Sequence, residues 1–204
     1  MATTPVGRWL RAPFLLVAFG AWLGSPAAQA QRLSGMDLVH ALQEGGYVLV
    51  VRNASSRQEP PEEERDRAPA NLHGEREIDE YGQGQMSVLG YAFRELDIPV
   101  GHSLTSPAYR SRQSAKYFGF GEPVVDDRLA ESADASWLAR RVGEAPPPGQ
   151  NTVIMTHGAL IAKAFGRDAR DIGTAEMLVY RPRDGNAELV ARLTVEDWAK
   201  LAAN

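Results

Sequence analysis

Residues 47–51 read Tyr-Val-Leu-Val-Val, and Arg52-Asn53 follow at once. Every position in that run is apolar, and all but Leu49 are β-branched or aromatic, so the segment has no polar face to turn to water. Such a run marks a strand covered on both sides in a parallel sheet. A strand of that kind needs helices above and below it, and the rest of the chain supplies them. Ser34 precedes a short amphipathic helix carrying Met36, Leu38, Val39 and Leu42, closed by Gly45-Gly46. Met86, Leu89, Phe93 and Leu96 recur at helical spacing, and that helix must stop before Pro99. His102 to Ser106 predicts a second strand, with Pro107 in the first turn of a helix bearing Arg110, Arg112, Ala115 and Tyr117.

Pro123 to Val125 is a weak third strand, and a helix is expected around Ala135 to Val142. Ala145 to Gly149 is a stiff connector. Asn151 to Thr156 is a second strand-like run that ends at His157-Gly158, with a helix from Ala159 to Phe165. Met177 to Arg181 and Ala187 to Leu193 flank Arg183-Asp184-Gly185-Asn186, a hairpin signal. Thr194-Val195-Glu196-Asp197 opens the last helix with a near capping box. Residues 53–74, with Pro60-Pro61 and Glu62-Glu63-Glu64, read as a solvated loop. Strand and helix alternate without an internal repeat, so the fold class is α/β: a three-layer α/β/α sandwich with a mostly parallel central sheet.

The first thirty residues stand apart. Arg8 and Arg11 precede the apolar run Phe14 to Phe19, extended through Ala21-Trp22-Leu23, and Ala28-Gln29-Ala30 supplies small residues for cleavage. That is the layout of a secretory signal peptide over 1–30, leaving a single domain over 31–204. The apolar stretch is shorter than the roughly 20 residues a membrane span requires, so no stable span is expected after cleavage. Removing the leader takes the balance from 22 basic and 26 acidic residues, net −4, to 20 and 26, net −6. A mildly acidic chain without basic runs argues against a nucleic-acid partner. With no cysteine, disulfides, thiol catalysis and thiolate metal sites are excluded. A periplasmic or secreted bacterial location fits an exported chain held by its core alone.

In a parallel sheet, ligands collect at the carboxyl ends of the strands. Arg52-Asn53 follows the first strand, Thr105-Ser106-Pro107 the second, and His157-Gly158 the fourth. Two arginines, Arg52 and Arg110, a histidine and a helix N-terminus at those ends point to an anion site. No glycine-rich nucleotide loop, Gly-x-Ser-x-Gly elbow or histidine–carboxylate cluster with metal-ligand spacing is present.

Taken together, these blocks resemble the histidine phosphatase superfamily, whose fold is called phosphoglycerate-mutase-like. The Arg-His-Gly signature after the first strand stands here as Arg52-Asn53-Ala54. Glu75-Arg76, Gly82, Gln85 and Leu89-Gly90-Tyr91-Ala92 are similar to the second block, and Thr105-Ser106-Pro107 with Arg110 to the third. Asp127-Arg128-Leu129-Ala130-Glu131 resembles the acid-bearing segment, Thr156-His157-Gly158 the second histidine, and Glu176, Arg181-Pro182 and Glu196-Asp197-Trp198 the ending of small exported members. The resemblance implies a phosphate held by Arg52, Arg110 and His157, with Glu131 as general acid, Glu77 its nearest rival, and neither metal nor cofactor. It also implies a phosphorylated small molecule or a phosphoprotein as partner; the oligomeric state stays open.

Asn53 departs from the pattern, because it occupies the place of the nucleophilic histidine. An imidazole nitrogen has an in-plane lone pair that can attack phosphorus, whereas the amide nitrogen of asparagine has its lone pair delocalised into the carbonyl. Ser55 and Ser56 lack an evident base, and His40, His73 and His102 lie on a helix, in a loop and at a strand start. None replaces the nucleophile. Loss of a covalent nucleophile costs on the order of a million-fold in kcat, while roughly a thousand-fold over water survives from binding and electrostatics. Three readings follow: a phosphate-binding pseudoenzyme; a phosphomonoesterase that uses water with Glu131 assisting, or an active parent of which Asn53 is a variant; and an interaction protein with a relic pocket. The walls of the site are expected from residues 53–74 and 127–144.

Overall fold

The computed structural model describes residues 1–2, 32–66 and 68–203. The expected leader therefore lies, apart from Met1 and Ala2, outside the described residues. Among the described residues, six strands and six helices follow one another, alternating as far as β5: α1 Gly35–Glu44, β1 Val48–Arg52, α2 Glu80–Glu95, β2 Val100–Thr105, α3 Tyr109–Phe118, β3 Val124–Val125, α4 Ala135–Arg141, β4 Asn151–Thr156, α5 Gly158–Phe165, β5 Met177–Arg183, β6 Asn186–Leu193 and α6 Val195–Ala202. The strands form one sheet in the order β3-β2-β4-β1-β5-β6. β1 to β4 pair in parallel, and the closing hairpin adds β5 antiparallel to β1 and β6 antiparallel to β5. Asp184 and Gly185 both take positive φ, 48° and 79°, the pattern of a type I′ turn, so the hairpin lies where Asp-Gly predicts it.

Burial explains the unbroken apolar run of β1. Successive side chains leave a strand on opposite faces. Leu49 and Val51 join Met86, Leu89, Phe93 and Trp198 under α1, α2, α3 and α6. Val48 and Val50 join Leu138, Leu160 and Ile161 under α4 and α5. The first layer centres on Phe93, whose ring lies 5.1 Å from Phe118 and 4.8 Å from Trp198 between centroids. Truncating so central a ring to alanine costs about 3–5 kcal/mol.

The layering also places the site. The helices that follow β1 and β2 cover one face of the sheet, while those that follow β3 and β4 cover the other. Since β4 lies between β2 and β1, the chain departs in opposite directions from neighbouring strands, and a crevice opens at their carboxyl ends. Pro107 differs from expectation: α3 starts at Tyr109, not in a turn containing the proline. Ala108 is extended (ψ 136°), and the side chain of Glu75 accepts from the Tyr109 N–H at 2.9 Å, so a carboxylate from a distant loop fixes the helix start.

Candidate functional site

Arg52 is the last residue of β1 and pairs with Thr156, the last residue of β4. Asn53 and His157 therefore open the loops of two adjacent parallel strands. The turn after β1 is fastened at each residue: Asn53 N–H donates to Thr156 O at 2.8 Å, Ala54 N–H to Ser114 Oγ at 3.0 Å, and Ser55 N–H to Gln85 Oε1 at 3.0 Å. Gly82 permits this, since a Cβ there would sit 2.1 Å from the Ser55 carbonyl oxygen. Asn53 is left 7 % exposed, with its Nδ2 in a long 3.3 Å contact to Ala54 O. A cleft of about 320 Å³ opens over it, lined among others by Arg52, Asn53, Arg76, Arg110, Glu131 and His157. Arg52, Asn53, Arg110, Glu131 and His157 are thus brought together, as expected.

The two arginines of the anion site each arrive with a protein partner. Arg52 donates from Nη1 to Ile172 O at 2.6 Å and runs along the start of α5, where Gly158 leaves room for it. Arg110 donates from Nη2 to Glu131 Oε2 at 2.9 Å and to His157 Nδ1 at 3.0 Å. A guanidinium has no acceptor, so Nδ1 carries the lone pair and Nε2 the hydrogen, which is donated to Ser106 Oγ at 2.7 Å. His157 is 2 % exposed; burial, and then the Arg110 charge, push it down from 6.5 to about 4. Sequence reasoning gave His157 to the anion as a donor, but both nitrogens of the neutral ring are engaged, Nε2 by Ser106 and Nδ1 by Arg110, so the ring has no N–H free for the cleft. The Glu131 side chain is 57 % exposed, so its pairing with Arg110 is a weak, solvent-screened one that an incoming oxyanion can displace.

Glu77 stands elsewhere. It is buried, its Oε1 accepts from Ala68 N–H at 2.8 Å and from Asn71 Nδ2 at 2.9 Å, and it is not among the cleft residues. His40, His73 and His102 are exposed and do not line the cleft. The walls also differ from expectation. Of the two segments named, residues 53–74 contribute Asn53, Ala54 and Ser56, and residues 127–144 contribute Glu131 alone. Ala169, Asp171, Ile172 and Thr174, between α5 and β5, complete the wall. A paired carboxylate and guanidinium hold that segment: Glu176 accepts from Nε and Nη2 of Arg192 and from Gly173 N–H, while Arg192 Nη1 donates to Arg170 O at 2.8 Å. Gln85 adds a tie through Nε2 to Thr174. Periodicity could not reveal a wall whose shape comes from contacts between distant side chains.

Arg76 was also missed as a site residue, although its block carried part of the resemblance. The first turn of α5, whose leading N–H groups have no partner within the helix, borders the cleft through Gly158 and Ala159. Among the described residues no group of three or more histidines and carboxylates is placed to hold a metal ion, and no helix is long and apolar enough to cross a membrane.

At the level of sequence, no protein-family model and no curated protein matches the chain. Solved structures do. The protein histidine phosphatase SixA, complexed with tungstate, superposes with a TM-score of 0.56 at 14 % identity, over 74 % of this chain and 98 % of that one. SixA from Agrobacterium tumefaciens gives 0.52 at 20 % identity, over 73 % and 98 %. The chain carries the histidine-phosphatase, phosphoglycerate-mutase-like fold.

Proposed function

We propose that this protein is an exported binder of phosphorylated ligands whose phosphatase chemistry is impaired. Arg52 and Arg110 hold the phosphate, with His157 beside them and Asn53 at the position from which a nucleophile would attack. The observation that carries this reading is the placement of Asn53 at the floor of the cleft, one strand from His157 and adjoining Arg52. A carboxamide there can hydrogen-bond an oxyanion but cannot form a bond to phosphorus. The leader read over residues 1–30 puts the ligand in the periplasm or outside the cell.

Phosphate and vanadate titrations by calorimetry test the binding half. Binding at or below millimolar ligand supports it, and its absence leaves an interaction protein with a relic pocket. Hydrolysis of p-nitrophenyl phosphate tests the other half. Wild type is expected to turn over near background; turnover at an ordinary enzyme rate would instead assign the attack to water, with Glu131 assisting.

A further inference from the structure

A second cavity, of about 430 Å³, opens at the other end of α5, and no residue lines both it and the cleft. α5 begins at the cleft with Gly158 and ends at this cavity with Ala164 and Phe165. Tyr180 lines it from β5, in register with Val48, the first residue of β1, at the opposite end of that strand from Arg52. The β5–β6 hairpin and α4 supply the remaining sides. Its size falls within the roughly 300–1,000 Å³ of small-molecule sites.

Tyr180 gives the reason to expect an occupant. The residue is 3 % exposed, its ring packs 4.7 Å from that of Phe165 between centroids, and its hydroxyl is buried with no hydrogen-bond partner among the described residues. A buried hydroxyl left unmatched costs stability that a phenylalanine with the same ring would not. Burial, and then the Asp168 charge, push the phenol well above its usual 10.0, so it keeps its proton and an oxygen lone pair that can accept.

The surroundings favour positive charge. The exposed Asp168 carboxylate lines the cavity and pairs with no cation among the described residues. Arg140, also on the wall, is committed elsewhere: its Nη1 donates one turn back to Ser136 Oγ at 3.0 Å, and that hydroxyl donates on to Asp134. The carboxyl end of α5, the negative end of the helix, meets the same wall beside the rings of Phe165 and Tyr180. Ala139, Val142, Ala164 and Ala187 add an apolar lining.

We propose that this cavity binds a small organic amine, whose ammonium donates to Asp168 and to the Tyr180 hydroxyl oxygen while its apolar or aromatic body lies against Phe165 and the alanine-lined wall. The site stands apart from the phosphate-binding reading and does not depend on it.

Calorimetry on the full chain at neutral pH tests it, comparing phenethylamine with 2-phenylethanol, its neutral counterpart, and with 3-phenylpropanoate, which carries the opposite charge. The amine should bind about tenfold tighter than the alcohol, the scale of one charge-assisted hydrogen bond, and the carboxylate more weakly than either. Asp168→Asn should bring amine and alcohol to about equal affinity. Tyr180→Phe should weaken the amine by about fivefold or more while Tm stays level or rises, because the free protein sheds an unmatched hydroxyl. A tyrosine with a merely structural role would not exchange binding for stability in that way. Glu122→Gln, which removes an exposed acid outside the cavity, should keep the wild-type affinity. If none of phenethylamine, cyclohexylamine and butylamine binds at millimolar concentration, or if 2-phenylethanol binds as tightly as phenethylamine, the amine site is overturned. Unchanged amine binding in Tyr180→Phe overturns it too, and equal losses in Glu122→Gln and Asp168→Asn would reduce it to an effect of net charge and overturn it likewise.

Discussion

The turns that follow β1 and β4 are neighbours in register and opposites in how their key side chain is held. At the end of β4 the side chain itself is gripped: His157 is bonded at both ring nitrogens, by Ser106 and Arg110. At the end of β1 the backbone is gripped, through Thr156, Ser114 and Gln85, while the Asn53 side chain makes one long contact to the next residue. A substitution at residue 53 therefore disturbs little of the scaffold. Chemistry can be lost at this position without losing the fold, whereas a change at residue 157 takes a partner from the buried Ser106 hydroxyl and from Arg110 at once.

The largest expected effect comes from putting an imidazole back on the β1 turn. Asn53→His should raise p-nitrophenyl phosphate turnover by roughly three orders of magnitude or more, the scale on which covalent nucleophiles contribute. Acid-labile, alkali-stable phosphate on the protein after reaction with a phosphoryl donor would show the covalent intermediate directly. A variant that folds, binds phosphate and stays at background breaks the comparison, because the β1 turn would then lack more than its nucleophile.

The second expectation belongs to the β4 turn. His157 ionises near 6.5 when unfolded and at about 4 when folded, because burial and Arg110 oppose its charge while Glu131 and Glu75 only partly offset them. A depressed folded value means that the unfolded chain binds the proton first. The stability due to neutral His157 is thus complete above pH 6.5 and is lost progressively between 6.5 and about 4, on the order of 3 kcal/mol in all. Urea unfolding of wild type and His157→Gln at a series of pH values isolates it, since the carboxylates titrate in both. Wild type should lose more stability across that window, and parallel curves would show that His157 is not held neutral. Oxyanion binding should oppose this: an anion that draws Arg110 away from Nδ1 frees that nitrogen to take a proton, and its charge favours the protonated ring. Titration with sulfate at pH 6, in buffers of different ionisation enthalpy, should show net proton uptake.

The contrast between the two turns also shows what was legible in the sequence. The apolar run 47–51 declared a buried parallel strand because a residue covered on both faces leaves its mark on every position, and Asp184-Gly185 declared the hairpin because few residues tolerate two positive φ values in succession. Arg52, Asn53, Arg110, Glu131 and His157 could be placed together because each follows or closely succeeds a strand end. Arg76 could not, since its direction depends on a bridge between residues 56 and 78 and on Glu77 turning the other way. The 169–174 wall was hidden for a similar reason: Glu176 and Arg192 are sixteen residues apart, and nothing in either neighbourhood announces that they meet. The tautomer of His157 was equally out of reach, because it follows from Arg110 lying on Nδ1, a contact between the first turn of α3 and the end of β4.

The smallest effect tests the grip on His157 alone. Ser106→Ala removes the acceptor of the Nε2 hydrogen and leaves Arg110 on Nδ1, so the ring cannot exchange tautomers without placing two donors face to face. The buried N–H is then unmatched, at a cost of about 1–2 kcal/mol, which for a domain of this size lowers Tm by roughly 2–8 °C. His157→Gln has its own cost, and the two changes share one hydrogen bond, so the double variant should be less destabilised than the sum of the single variants by about 0.5 kcal/mol or more. Strict additivity would mean that Ser106 does not hold the imidazole. The β4 turn would then hold its imidazole through Arg110 alone, a step closer to the single long contact of Asn53 on the β1 turn.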